Sequence, residues 1–174
     1  MDSTSGAGRF ARRLALRLGV LALGVVGFLL FPSAKGCWEA ATSTCAKVWT
    51  AQDLTALQGG KWERSSLFDS TTFCSATWSR PGVATNSAFL DLKRDVGGSE
   101  AERFLKDLTL VQKLPDADEA YVGVAERGLQ TLVLKRPKGA LRIQFDAAFT
   151  PEQVRKVPAL LKERLPDVDR YLGG

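Results

Sequence analysis

The sequence contains no histidine, and this absence excludes several classes of enzyme. Ser-His-Asp and Cys-His nucleophilic sites need an imidazole as general base, and histidine-ligated metal sites need it as a ligand. The absence of histidine therefore excludes most of the mechanisms that exported hydrolases use. We therefore predict no catalytic residue, no metal site and no cofactor.

One tight acidic cluster is present, formed by Asp116, Asp118 and Glu119 in LPDADEAY. Carboxylates this close could hold a hard cation, but the glycine and the distal glutamate of a calcium-binding loop are missing. We interpret the cluster as a solvated turn that precedes a strand.

Positive charge is concentrated at the N-terminus. The chain has 24 basic and 19 acidic residues, of which five basic and one acidic lie within the first 36. Residues 37–174 are therefore nearly neutral, with 19 basic and 18 acidic residues. Because a nucleic-acid-binding domain normally carries a basic surface, we predict no nucleic-acid partner.

The N-terminal segment is the longest apolar run of the chain. From Leu18 to Phe31 it has 14 uncharged residues, about 21 Å of helix against roughly 30 Å of hydrocarbon. Starting at Leu14 lengthens it to 18 residues, provided that Arg17 extends its charge to the headgroups. We predict a signal or membrane-anchor segment over 1–36, with Leu14, Leu18, Leu30 and Phe31 in the membrane.

Cys37 follows this segment directly and leaves three alternatives open. Ala34 and Gly36 are small residues of the kind that a signal peptidase accepts, so one alternative is cleavage before Cys37 and secretion of the released domain. Lipidation of Cys37 is another, although Ala34 and Lys35 make a poor lipobox. The third is an uncleaved single-pass anchor. All three place a short linker (37–48) and a folded domain (49–174) outside the cytoplasm.

The other two cysteines, Cys45 and Cys74, flank a predicted helix and strand. Disulfides persist in the oxidising surroundings that an exported chain meets, and we predict that these two pair. The alternative is that all three cysteines remain reduced.

Helix signals recur three times as a capping hydroxyl with an acidic or amide residue three positions later. Thr50 and Asp53 begin a helix that ends at Gly59, and Ser99 and Glu102 begin a longer one. The apolar stripe of the longer helix is Ala101, Phe104, Leu105, Leu108 and Val111.

The last helix begins at Thr150, Pro151 and Gln153, with Pro158 expected to kink it or to delay its start. Its inward residues are Val154, Val157, Leu161 and Leu165.

Between the helices the apolar pattern has a period of two, which is typical of half-buried strands. Strands are predicted at 61–68, around Cys74–Trp78 and Ala88–Leu92, and as a meander over 121–125, 129–135 and 141–145. Because hairpin-length turns connect antiparallel strands, we predict an α+β fold. It has a mainly antiparallel sheet in two helix-plus-strands halves and a closing C-terminal helix.

The body resembles a family of small actinobacterial lipoproteins of unknown function. Their fold is similar to the extracellular sensor domain of a mycobacterial receptor serine/threonine kinase. The resemblance covers most of residues 40–165 and implies a disulfide between Cys45 and Cys74. It is carried by CAKVWTAQDLTALQGG, by CSATW and by Glu119-Ala120-Tyr121.

These observations favour a membrane-tethered, envelope-facing, non-catalytic domain that binds a partner protein or a small amphiphilic ligand. One alternative is an enzyme that acts on cell-wall glycans with carboxylates alone. Another is an accessory subunit of a membrane complex. The expected partners are the membrane, through the N-terminal helix, and a protein of the envelope.

Overall fold

The computed structural model describes residues 43–146 and 148–173. Cys37 and the predicted membrane segment, with Leu14, Leu18, Leu30 and Phe31, lie outside the described residues. No helix within the described residues is both long and apolar enough to cross a membrane.

The described elements are α-helices and antiparallel strands, as the α+β prediction requires. The helices are α1 (Thr44–Val48), α2 (Ala51–Gln58), α3 (Glu100–Lys106), α4 (Pro151–Arg155), α5 (Val157–Leu161) and α6 (Leu165–Gly173). The strands are β1 (Glu63–Asp69), β2 (Phe73–Arg80), β3 (Val83–Arg94), β4 (Thr109–Lys113), β5 (Ala120–Val124), β6 (Gln130–Arg136) and β7 (Gly139–Phe145). Short 3-10 turns span Glu126–Gly128 and Lys162–Arg164.

The seven strands form one sheet in the order β1-β2-β3-β7-β6-β5-β4, and every neighbouring pair is antiparallel. Two meanders, β1 to β3 and β4 to β7, are joined where β3 pairs with β7. In the register of that junction, Leu90 lies opposite Ile143 and Leu92 opposite Leu141. The two predicted halves therefore share one continuous sheet.

The helix starts confirm the capping signals in the sequence. The Thr50 backbone N–H donates to Asp53 at 2.7 Å, and the Asp53 N–H donates to the Thr50 hydroxyl at 3.3 Å. Thr150 and Gln153 form the same reciprocal pair at the start of α4. Each pair satisfies two backbone donors that a helix end leaves free.

Helix α1 occupies a stretch that the sequence assigned to the linker. Cys45 and Val48 of α1 are fully buried, and Trp49 after it is buried as well. The folded unit therefore begins before residue 49. Helical spacing in so short a stretch is difficult to recognise, because five residues contain little more than one turn.

Strand β4 replaces the end of the predicted second helix. Helix α3 stops at Lys106, and Val111 belongs to an edge strand that pairs with β5. Leu108 still packs against α3 and the sheet, as its helical spacing indicated, although it lies beyond the helix. Pairing with β5 gives the backbone groups of this segment hydrogen-bond partners, and this tertiary pairing outweighs the local helix periodicity.

The larger core lies between one sheet face, here called the inner face, and helices α1, α2 and α4 to α6. Cys45 and Cys74 connect α1 to β2 with their Cα atoms 6.0 Å apart, which fits the predicted disulfide. Trp49 packs edge-on against Phe145 at 6.1 Å between ring centroids. Buried strand residues of this face are Cys74, Ala76, Trp78, Ala88, Leu90, Leu92, Ala120, Leu132, Leu134, Leu141, Ile143 and Phe145.

The opposite face of the sheet carries a smaller core under α3. Ala101 and Phe104 of this helix pack against Val133 and Ala140 of β6 and β7. The guanidinium of Arg142 lies 4.3 Å from the centre of the Phe104 ring and also pairs with Asp91. These contacts hold α3 over the β6–β7 part of the sheet.

The C-terminal helical segment is interrupted, as Pro158 predicted. Helix α4 ends at Arg155, and α5 begins at Val157 with Pro158 in its first turn. Proline is tolerated there because the first helical N–H groups have no partner within the helix. The result is a chain of short helices that follows the inner face.

Tyr171 of α6 makes the free energy of unfolding depend on pH in the alkaline range. Its hydroxyl donates to the Ser70 carbonyl at 2.7 Å, and burial raises the pKa of Tyr171 to about 12. In the unfolded chain a tyrosine titrates near pH 10. The folded state therefore holds the proton more tightly, and stability falls as the pH rises from 10 towards 12.

We expect this fall to amount to about 1 kcal/mol, since partial solvent exposure screens the effect. Urea unfolding measured across this pH range should show that Tyr171→Phe removes this part of the fall in stability. Tyr121→Phe is the matched control and should leave it in place. A fall that is equally steep in Tyr171→Phe would mean that another group causes it.

Candidate ligand-binding cavity

A cavity of about 690 Å³ opens between the C-terminal helical segment, the β4–β5 loop and the end of β6. We call it the large cavity. Its size falls within the range of roughly 300–1,000 Å³ that is typical of small-molecule sites. Three parts of the chain that are far apart in sequence meet here.

The floor of the large cavity is apolar. Leu114 and Leu134 are buried beneath it, and Leu165 at the start of α6 is partly buried. Leu114 is held by its backbone N–H, which donates to the Ala120 carbonyl at 2.8 Å. An apolar part of a ligand would find surface here from which water can be displaced.

The helical wall of the large cavity is basic. Arg155 and Lys162 line it, with Pro158 and Ala159 between them. Positions three, four and seven apart lie on one side of a helix, which explains why these residues reach the same cavity. Among the described residues, neither Arg155 nor Lys162 has a carboxylate partner at ion-pair distance. Both charges remain available to an anion.

Arg136 lines the sheet side of the cavity but already has a partner. Its Nε donates to Asp169 at 2.7 Å, and a second nitrogen donates to the other carboxylate oxygen. The pKa of Arg136 is raised mainly by this hydrogen bond. A bidentate pair of this kind fixes the side chain, so Arg136 lines the cavity in a fixed position with its charge already paired.

The β4–β5 loop is held by an ion pair at its base. Lys113 Nζ lies 2.9 Å from Glu119, and the Tyr121 hydroxyl donates to the same carboxylate at 3.1 Å. The hydrogen bonds from Lys113 and then Tyr121 lower the pKa of Glu119. Glu119 has a left-handed backbone with φ of 49°, which turns the chain from the loop into β5. The loop geometry is therefore set by Glu119.

The carboxylates at the cavity are poorly suited to acid–base catalysis. Asp116 and Asp118 line it but are exposed to solvent. Of the described carboxylates, Asp53 and Glu100 are the buried ones, and each pairs with an arginine. A catalytic acid normally needs a buried, unneutralised site that raises its pKa. No cluster of three metal-ligating side chains occurs in the described part of the chain.

The structure brings only part of the predicted acidic cluster to the cavity. Asp116 and Asp118 line it, whereas Glu119 is occupied by Lys113 and Tyr121. Cys45 and Cys74 do not line it. Arg155 and Lys162 were not among the residues predicted from the sequence. Their seven-residue spacing was the available signal, but the interruption around Pro158 obscures it.

Comparisons of the chain with protein-family models, with curated proteins and with solved structures found no match. The resemblance to the lipoprotein family therefore stays a prediction.

Proposed function

We propose that this protein is a membrane-tethered, envelope-facing, non-catalytic domain that binds a small amphiphilic ligand in the large cavity. The observation that carries this proposal is the combination of an apolar floor with two basic side chains, Arg155 and Lys162, that have no ion-pair partner among the described residues. An amphiphile presents the same combination, an apolar body and a polar head. Ligand sites typically pair an apolar lining with a few polar groups.

The solvent exposure of the carboxylates at the cavity favours a binding function over glycan hydrolysis. Hydrolysis by carboxylates alone needs two such groups with different environments, one kept protonated and the other ionised. Asp116 and Asp118 lie in the same exposed loop, where water surrounds both. This arrangement supports a binding site better than an enzyme.

Support for the membrane tether and for a location outside the cytoplasm comes mainly from the sequence. The apolar run before Pro32 and the arginines ahead of it support insertion with the C-terminal domain outside the cytoplasm. The Cys45–Cys74 pair supports the same compartment, because disulfides are rare in a reducing cytoplasm.

The proposal can be tested with the full-length chain in lipid nanodiscs and the amphiphilic dye anilinonaphthalenesulfonate. After subtraction of empty nanodiscs, we expect saturable binding at one site per chain. Ala159→Trp places a large ring in the cavity and should weaken binding about tenfold or more.

Ala56→Trp is the matched control, since Ala56 is an exposed position of helix α2 that does not line the cavity. This variant should bind the dye as the wild type does. Equal binding by wild type and Ala159→Trp, or no saturable binding at all, would refute the proposed site.

A further inference from the structure

A second, smaller cavity of about 230 Å³ adjoins the large one. We call it the small cavity. It lies between β4, β5 and the start of α4, and its apolar lining includes Leu110, Val122, Val124 and Val154. Arg155 is the one charged residue among those that line it. The small cavity therefore suits an apolar group with a negative charge at one end.

Arg155 and Gln112 line both cavities. An Arg155 guanidinium nitrogen donates to the Gln112 side-chain oxygen at 3.1 Å, and this contact marks the junction between the two spaces. Gln112 is a neutral acceptor, so the positive charge of Arg155 is not compensated by this bond. An anion at the junction would form a stronger, charge-assisted hydrogen bond with the same guanidinium.

Leu110 is the second indication of an apolar occupant. It has a left-handed backbone with φ of 54°, at the point in β4 where the register with β5 shifts. The residue is 79% exposed although it lines the small cavity. The irregular register accounts for the left-handed backbone, but a leucine side chain that remains exposed gains little from burial. An apolar chain in the cavity would cover the Leu110 side chain.

We propose that the ligand is a single-chain amphiphile with an anionic head, either a carboxylate or a phosphate. The head binds Arg155 at the junction, where Lys162 adds positive charge from the same helical wall. The alkyl chain lies in the small cavity against Leu110. This inference rests on the proposed function, because it assigns a class to that ligand: its head lies in the large cavity at the junction, and its alkyl chain extends from there into the small cavity.

The test measures displacement of anilinonaphthalenesulfonate from the full-length chain in nanodiscs by hexanoate, octanoate, decanoate and dodecanoate. Affinity should rise about fourfold per added methylene until the chain fills the cavity. Decanol has the same chain without the charge and should bind about tenfold more weakly than decanoate. Decyl phosphate against decanoate then distinguishes the two head groups.

Two variants separate the roles of head and chain. Arg155→Gln should weaken decanoate about tenfold and leave decanol unchanged, whereas Lys156→Gln, at an exposed position outside both cavities, should change neither. Leu110→Asn should abolish the rise in affinity with alkyl chain length. The protein should remain folded, because asparagine tolerates the left-handed conformation. Val111→Asn is its control on the same strand.

The outcomes distinguish this inference from the proposed function. One outcome is that the dye binds and Ala159→Trp blocks its binding, while hexanoate and decanoate displace the dye equally well. In that case the placement of the alkyl chain in the small cavity is wrong. If Arg155→Gln leaves the preference for decanoate over decanol intact, the head assignment is wrong. If the dye does not bind at all, both proposals fail.

Discussion

Removing the disulfide between Cys45 and Cys74 is expected to lower the free energy of unfolding by about 3 to 4 kcal/mol. The two cysteines are 29 positions apart, and a loop of this length gives that value from chain entropy alone. Small domains have a total stability of about 5–15 kcal/mol, so the loss is a large fraction of it. The effect should be visible as a lower urea midpoint.

The clean variant is Cys45→Ala with Cys74→Ala. Both side chains are fully buried, and serine would add a buried hydroxyl without a partner. Alanine keeps the site apolar and limits the change to the lost bridge and a small void. Cys37→Ser is the control, because it leaves both cysteines of the Cys45–Cys74 bridge in place and removes a third thiol that could exchange with it.

Reduction of the Cys37→Ser protein should reproduce the loss seen in the double alanine variant. Thiol labelling in intact host cells, followed by mass measurement, should leave Cys45 and Cys74 unmodified unless a reductant is added. An unfolding midpoint that does not respond to reduction would show that the two cysteines are not bridged. Labelling of both without reductant would argue against an oxidising compartment.

Local signals in the sequence predicted much of the fold. The alternation of Cys74, Ala76 and Trp78 with polar neighbours indicated the inner face of β2, and all three side chains are buried. The turn at Pro81 and Gly82 joins β2 to β3 as expected, with Gly82 at φ of 77°. Each of these features depends on residues only a few positions apart.

Features that depend on distant partners were not predicted. Val111 continues a helical stripe, yet it belongs to β4, whose backbone pairs with the distant strand β5. The pairing of β3 with β7 brings Leu90 next to Ile143 across more than 50 positions, and no local pattern specifies it. All half-buried strands show the same alternation of apolar and polar residues, so this pattern does not reveal which strands are neighbours in the sheet.

The cavity was missed for the same reason. Its floor comes from Leu114 and Leu134, and its helical wall comes from Arg155 and Lys162. A single basic residue on a helix normally indicates a solvated surface. Only the approach of the helical segment to the β4–β5 loop turns these side chains into the lining of one space.

Replacing Asp53 with alanine is expected to lower the free energy of unfolding by about 3 kcal/mol. The Asp53 side chain is 7% exposed and accepts hydrogen bonds from both Thr50 and Arg164. Arg164 donates to it at 2.6 and 2.9 Å and also reaches the Val48 carbonyl at 3.1 Å. The variant would remove a helix cap and leave Arg164 without its counter-ion.

A double-mutant cycle with Arg164→Met isolates the ion pair from the cap. Because Arg164 is 33% exposed, water can partly replace Asp53, and the coupling free energy should be about 1 to 2 kcal/mol. Asp167→Ala is the matched control, since its pair with Arg170 is exposed on both sides and should contribute less than about 1 kcal/mol.

The Asp53–Arg164 pair also connects α2 to the helical wall of the large cavity. Arg164 lies between Lys162 and Leu165, both of which line that cavity. Loss of the pair should therefore weaken dye binding under conditions where the variant is still fully folded, whereas Asp167→Ala should bind normally. If Asp53→Ala loses stability but binds the dye as tightly as wild type, the position of the wall does not depend on this pair, and packing of Val157 and Leu161 into the core would be sufficient to hold it.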